Sequence, residues 1–356
     1  MIKRSFDEPD YYLDGDSLIQ LDDGRILSFH FRNSDTLKIY EQKEFKELLS
    51  INLEEVLNQN NKNTEAFYES IKAFELSVIQ LKNKSILVCF FIFLIEIKLN
   101  EKGFESKIAF EYKENILNIN ELSDRRIILI TYNSILVLND FILKDKYNIK
   151  EDWKIVPVSL TDSYYGDFNQ YFASIILPDE RILLRSFSTE LSYHGGCGTH
   201  PPSEFTHSKI IFLSTKNFEE IKTTEEFISD SRALVLENLI IIQDYHDIYL
   251  YDIKTLEIIK KMEIEGRYTY FEKYNENEII AYSKYEKVND LLIFRVEGNN
   301  IIKTCEVKKN FKFWEVIGRN HYSIIRYNNK VLFVLKDKRI ILLCHGDALL
   351  LNLNLE

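Results

Sequence analysis

Residues 17–40 read SLIQLDDGRILSFHFRNSDTLKIY. Three short apolar runs, at 17–21, 25–31 and 36–40, are separated by Asp22-Asp23-Gly24 and by Asn33-Ser34-Asp35. Runs this short, rich in Ile, Leu, Phe and Tyr and punctuated by Asn, Asp and Gly, read as strands joined by turns. A fourth run, FKELLSI at 45–51, completes a four-strand unit. A lone unit of this kind cannot bury both of its faces, so it needs neighbours built the same way.

The same phrase recurs along the chain. Its first strand ends at Leu21, Leu81, Leu122, Leu177, Leu236, Tyr274 and Ile317, with spacings of 60, 41, 55, 59, 38 and 43 residues. The average, about 49, lies within the roughly 40–50 residues of a propeller repeat. Stacking such sheets in a ring hides each against the next and leaves only short edges. The expectation is an all-β chain: one seven-bladed β-propeller domain over 1–356, with four antiparallel strands per blade. Six or eight blades are the alternatives. Approximate blades are 13–51, 76–110, 116–149, 172–228, 232–264, 268–307 and 311–356. The seventh takes FWEVI (313–317), HYSIIRY (321–327), KVLFVLK (330–336) and RIILLCH (339–345) as its strands. The surplus ALLLNL at 348–353 either closes the ring or shifts the seventh blade by one strand. A β-sandwich also uses closely spaced strands, but the repeat favours the propeller.

Composition sets the outer limits. Hydrophobic residues are 45% and charged residues 28% of the 356, an ordinary globular balance, and the net charge is −11. An acidic chain lacks the clustered positive charge that phosphate backbones and anionic membranes require, so neither nucleic acid nor membrane insertion is expected. The greasiest run, ILVCFFIFLI at 86–95, is shorter than the roughly 20 residues of a membrane span and reads as two adjoining buried strands. No apolar stretch follows the basic start, so no secretory signal is expected. Four scattered cysteines, Cys89, Cys197, Cys305 and Cys344, make no disulfide framework and fit a reducing cytoplasm.

Ser34-Asp35-Thr36-Leu37-Lys38-Ile39-Tyr40-Glu41 and His246-Asp247-Ile248-Tyr249-Leu250-Tyr251-Asp252 share a pattern: an Asp-containing turn, a strand, then an aromatic and an acid. This resembles the third strand of the WD-repeat superfamily of β-propellers. The likeness spans nearly the whole chain as spacing, while only the first and fifth repeats carry the motif; neither a Gly-His nor a Trp-Asp dipeptide occurs. The resemblance implies a rigid platform for other proteins.

Three insertions exceed ordinary loops: 52–76, 150–172, and 187–208, the last read as a long loop between the second and third strands of blade four. In a WD-type blade, all three emerge on one face. Within 150–172, Trp153, Tyr164, Tyr165 and Phe168 lie among Asp162 and Asp167, aromatics suited to a partner-binding surface. The competing reading has Trp153 filling a gap between blades and Tyr171 and Phe172 opening the next strand. NTEAFYESIKAF at 63–74 spaces Phe67, Ile71 and Phe74 as a short helix behind a solvated tip at 58–62. The third insertion holds SYHGGCGTHPP at 192–202. Tyr193, His194 and His200 join the partner-binding set as part of a Gly/Pro-shaped recognition loop. His194, Cys197, His200 and His207 also supply the ligand types of zinc, though not in the spacing of a recognised motif.

No phosphate-cradling, dinucleotide, zincin or nucleophile-elbow motif occurs, and His30 and His246 read as turn or inter-blade residues. The expectation is a scaffold or adaptor that binds a protein or peptide through 150–172 and 187–208, with no cofactor. The alternative is a metal-dependent hydrolase or metal-binding propeller that uses the His/Cys loop and zinc.

Overall fold

The computed structural model describes residues 11–13, 15, 17–29, 35–62, 76–101, 103–150, 153, 171–192, 203–224, 232–236, 238–244, 247–263, 268–283, 290–308, 332–344 and 347–351. They form seven four-stranded antiparallel sheets. After β1 (Tyr11–Tyr12), the first sheet is β2 (Ser17–Gln20), β3 (Ile26–Phe29), β4 (Thr36–Tyr40) and β5 (Glu47–Asn52), followed by the helix α1 (Leu53–Gln59). The second is β6 (Ser77–Gln80), β7 (Ile86–Phe90), β8 (Phe93–Asn100) and β9 (Gly103–Glu111). The third is β10 (Ile116–Glu121), β11 (Ile127–Thr131), β12 (Ser134–Asn139) and β13 (Ile142–Asn148). The fourth is β14 (Tyr171–Ile176), β15 (Ile182–Ser192), β16 (Ser203–Leu213) and β17 (Glu220–Thr223). The fifth is β18 (Arg232–Val235), β19 (Leu239–Asp244), β20 (Asp247–Asp252) and β21 (Ile258–Glu263). The sixth is β22 (Tyr268–Lys273), β23 (Glu278–Ser283), β24 (Asp290–Glu297) and β25 (Asn300–Lys308). The seventh takes β26 (Leu332–Val334), β27 (Ile340–Cys344) and β28 (Asp347–Leu351), with β1 as its fourth strand. This is the strand plan of a seven-bladed β-propeller.

The seventh sheet corrects the expected boundaries. KVLFVLK supplies its first strand rather than its third, and the surplus at 348–353 supplies its third. Tyr11 and Tyr12 then pair with Ala348 and Asp347 to complete it. FWEVI and HYSIIRY lie outside the described residues. The physical reason is that the turn after Leu335 is the same first-to-second turn found in the first four sheets, which fixes the register of the seventh.

That turn recurs as Leu-x-Asp/Asn-x-Arg/Ser at 21–25, 81–85, 122–126, 177–181 and 335–339. The Leu N–H donates to the fifth residue's carbonyl at 2.8–2.9 Å in each. The fourth residue sits at positive φ: Gly24 at 92°, Lys84 at 70°, Arg125 at 71°, Glu180 at 68° and Lys338 at 68°. The Asp or Asn accepts the fifth residue's backbone N–H at 2.9–3.2 Å. In four copies the Arg Nε also donates to that Asp, at 2.7–2.9 Å. These local bonds offset the conformational cost of a left-handed residue, about 1–2 kcal/mol.

A second turn links third to fourth strands in the first, fourth and fifth sheets. Glu41 accepts the Lys43 and Glu44 N–H groups at 2.8 and 2.7 Å, and Asp252 accepts those of Lys254 and Thr255, both at 2.8 Å. These backbone donors hold both carboxyls below their usual range. Ser214 takes the same place in the fourth sheet, accepting the Lys216 N–H at 3.2 Å. Four residues after each, Phe45, Phe218 and Leu256 adopt φ of 52°, 55° and 59° and turn inward, buried.

The chain divides into two compact units, Met1–Thr64 with Arg232–Glu356, and Glu65–Ser231. In the first, the seventh and first sheets share a core of Leu13, Ile26, Tyr40, Phe333 and Ile341, and the fifth and sixth share another. Lys336 fastens the seventh sheet to the first: its N–H donates to Gln20 at 2.6 Å and its Nζ to the Leu21 carbonyl at 3.3 Å. In the second unit, Lys82 fastens the second sheet to the third in the same way. Its N–H donates to Glu121 at 2.8 Å and its Nζ to the Leu122 carbonyl at 3.1 Å. The run at 86–95 forms two adjoining strands, as expected, and is buried almost throughout. Each such Leu, Ile or Phe contributes roughly 1.5–3 kcal/mol by leaving water.

Candidate functional site

Antiparallel order gives every sheet two ends. The first-to-second and third-to-fourth turns lie at one, the turn end. The second-to-third connections and the links to the next sheet lie at the other, the link end. In the fourth sheet, residues 154–170 enter β14 and residues 193–202 join β15 to β16, so both excursions open at its link end. Residues 63–75 enter β6 at the corresponding end of the second sheet.

The segment 187–208 is mostly not a loop. β15 and β16 pair continuously from Ile182↔Leu213 to Ser192↔Ser203. Among the described residues, β14 pairs with β15 as far as Tyr171↔Phe187 and β17 with β16 as far as Thr223↔Ile211. Five further pairs, Ser188↔His207 to Ser192↔Ser203, continue the hairpin by about 17 Å, at ~3.4 Å per residue. Alternating Phe187, Thr189 and Leu191, then Phe205, was the strand signal in the sequence; the Gly/Pro-rich tip obscured it. Only 193–202 remain as the connection, and Tyr193, His194, Cys197 and His200 lie there, outside the described residues. Of the zinc candidates, His207 alone is placed, in β16 opposite Ser188. Among the described residues, no three His, Cys, Asp or Glu side chains cluster as metal ligands.

Trp153 is packing, not docking surface. It is 2% exposed, in a core with Ile130, Ile135, Ile182, Leu213 and Phe218. Its Nε1–H donates to Glu220 at 2.7 Å, and Lys150 Nζ sits 5.1 Å from the indole centroid. The Thr223 hydroxyl and the indole N–H hold the Glu220 carboxyl below its usual range. Glu220 opens β17 beside the β16–β17 turn, so Trp153 lies against the turn end of the fourth sheet. Tyr147 meets Phe218 in the same seam, with ring centroids 4.5 Å apart. A lone Trp in a polar stretch reads equally as contact or filler; its burial decides for filler. Tyr164, Tyr165 and Phe168 lie outside the described residues, as do the helix expected at 63–74, His30 and His246. Residues 52–62 differ from expectation: Asn52 caps α1 by accepting the Glu55 N–H at 2.8 Å, and Asn58 and Gln59 end the helix rather than forming a tip.

Beside this, the link end of the third sheet is tightly ordered. Thr131 Oγ1 donates to Glu114 at 3.0 Å, Asn133 Nδ2 reaches the same carboxyl at 3.2 Å, and Ile149 N–H donates to the Asn133 carbonyl at 2.8 Å. Tyr132, 40% exposed, stands on this connection.

Among solved structures, a chain of the mitotic checkpoint complex is similar over 96% of this chain and 87% of its own, with a TM-score of 0.55 and 7% identity. The chain has a WD-repeat-like β-propeller fold. Dihydro-heme d1 dehydrogenase NirN, in complex with DHE, matches over 82% of this chain at 12% identity and a TM-score of 0.47. This chain spans 57% of the length of that enzyme chain. No protein-family model matches, nor does any curated protein. No described helix is long and apolar enough to cross a membrane.

Proposed function

We propose that this propeller is a scaffold or adaptor that binds a protein partner at the link end of its fourth sheet, through the β15–β16 arm and the residues around it. The arm carries this reading. β15 and β16 stay paired with each other for five pairs past Phe187, which carries paired backbone out to the connection at 193–202. The connections that open beside it hold Tyr164, Tyr165, Phe168, Tyr193, His194 and His200, residue types that give large contact area with polar handles. The structurally similar chain is itself part of a multi-protein complex, which is the kind of work proposed here.

The test is quantitative co-purification of tagged full-length protein against a variant lacking 190–204, with the thermal unfolding of both recorded. The reading expects the variant to fold and its specific partner to be lost. A partner retained at equal stoichiometry would contradict it. Elemental analysis of the same samples addresses the His/Cys tip: a metal-free intact protein is expected, and stoichiometric zinc that disappears with the deletion would favour the metal-binding alternative.

A further inference from the structure

The link end of the third sheet holds a carboxylate that the fold positions without neutralising. The segment that carries Glu114 is pinned on both sides to the connection after β7. The Tyr112 N–H donates to the Ile92 carbonyl and the Ile116 N–H to the Phe91 carbonyl, both at 2.9 Å. The Thr131 hydroxyl and the Asn133 side-chain amide then reach the same carboxylate oxygen, Oε2. Thr131 is itself held, its Oγ1 accepting the Ser134 N–H at 3.0 Å and the Asn133 N–H at 3.3 Å.

The other oxygen, Oε1, has no hydrogen bond and no ion pair among the described residues, yet it is not sealed from water. Lys113, the nearest cation in sequence, is exposed and makes no ion pair with it. Elsewhere in the second unit carboxylates have cations of their own: Glu96 has Lys107 at 2.9 Å, Glu220 has Lys150 at 3.7 Å and Asp124 has Arg126 at 2.7 Å. Between the two donors in sequence stands Tyr132, 40% exposed. The other exposed large apolar side chains among the described residues are aliphatic and all lie on fourth strands. A fixed carboxylate with one open oxygen, close to an exposed aromatic ring, suits a guanidinium, which donates in its plane to the oxygen and stacks its face on the ring.

We propose that Glu114 and Tyr132 seat an arginine side chain of the protein partner, in the sheet that shares a core with the fourth. This rests on the reading of the link end as the docking end and names a side chain of what docks there.

The probe is a capped tripeptide with arginine between two alanines, offered to the full chain. Binding is followed by the NMR shifts of the Thr131 methyl and the Asn133 side-chain amide. The controls are the same tripeptide with citrulline, which keeps the shape and loses the charge, and with lysine, which keeps the charge and loses the plane. The arginine peptide should shift both signals saturably. The citrulline peptide should bind at least about tenfold more weakly, and the lysine peptide several-fold more weakly. Glu114→Gln keeps an acceptor for Thr131 and Asn133, so it should unfold like the native protein and bind the arginine peptide at least about tenfold more weakly. Tyr132→Ala should weaken it several-fold. Absence of a saturable shift, equal binding of citrulline or lysine, or full binding by either variant would overturn the seat; the peptide comparisons use the unaltered protein and need no variant to fold. The two readings fail separately. A native partner that survives Glu114→Gln but is lost on deleting 190–204 overturns the seat and leaves the arm's role standing. A partner that survives the deletion but is lost in Glu114→Gln removes the arm's role and supports the seat.

Discussion

The two ends of the sheets are built on opposite terms. At the turn end, five first-to-second turns reuse one Leu-x-Asp/Asn-x-Arg/Ser device, and each is closed by hydrogen bonds within five residues. At the link end, the second-to-third connections alone range from Tyr132-Asn133 in the third sheet to the ten residues at 193–202 in the fourth. Local bonding makes the first kind of connection repeatable and short. The second kind is free to lengthen because no sheet hydrogen bond passes through it, so insertions such as 193–202 are accommodated there. The lesson is a division of labour within each blade: turns set register, links carry individuality.

Trp153 is where this division is most easily broken, because it belongs to a link yet serves the core. Trp153→Ala should cost roughly 3–5 kcal/mol, the range for emptying a buried aromatic site, read from denaturant unfolding. Trp153→Phe should cost less, about 1–2 kcal/mol, chiefly the hydrogen bond to Glu220. An effect near zero for the alanine variant would return this residue to the exposed set.

Gly15 makes the same point in the first unit. It adopts φ of 149°, and a Cβ there would lie 2.3 Å from Ser28 Oγ and 2.8 Å from the Phe29 backbone N and O. Gly15→Ala should cost about 1–3 kcal/mol, as overpacking does, visible as a lower melting temperature. Unchanged melting would show that this part of the link end yields.

Acid titration sharpens the account of the turn end. Burial pushes the carboxyls of Asp23, Asp124 and Asp179 up, but the side-chain and backbone hydrogen bonds of Arg25, Arg126 and Arg181 outweigh it and hold all three below the ordinary 3.8. A group whose folded pKa is lowered gives its full stabilisation above its unfolded pKa and loses it as pH falls through the folded value. Melting temperature should therefore drop below about pH 4 for the native protein. It should drop less steeply for the triple variant Asp23→Asn, Asp124→Asn, Asp179→Asn. Parallel curves would mean that these turns do not couple protonation to folding.

The smallest effect is expected inside a sheet. Glu96 is 3% exposed, 2.9 Å from Lys107 Nζ, at a register position where the first, third, fourth and seventh sheets carry Ile39, Val137, Phe212 and Leu350. Lys107 is 59% exposed, so the buried carboxylate is paired at the edge of water, and such a pair contributes about 0–1 kcal/mol, often less than apolar packing of the same volume. Glu96→Leu should leave stability unchanged or raise it, by calorimetry; a large loss would give this pair a structural role that the other sheets do without.

The sequence carried the sheets because strand alternation and turn residues are local signals. Leu21, Leu81, Leu122, Leu177, Leu236 and Tyr274 all mark the end of first strands or the residue after them. The seventh sheet is not legible locally because its register depends on Leu335 and on a pairing between Tyr11–Tyr12 and Asp347–Ala348 that joins opposite ends of the chain, which no local window holds. The α1 helix leaves a weak sequence signal because Leu53, Val56 and Leu57 give it only a two-turn stripe. At the site, Phe187-to-Leu191 alternation was present but outweighed by the Gly and Pro residues after it. The burial of Trp153 depends on Glu220 and Phe218, more than sixty positions away.

The central claim is that the arm recognises while the turns hold the fold. It is tested most directly by removing 190–204 and measuring, on one preparation, the unfolding midpoint and the retention of the specific partner. The account predicts a midpoint within roughly 4 °C of native, the equivalent of about 1 kcal/mol, and loss of the partner. A partner that stays bound, or a protein that no longer folds, would contradict it.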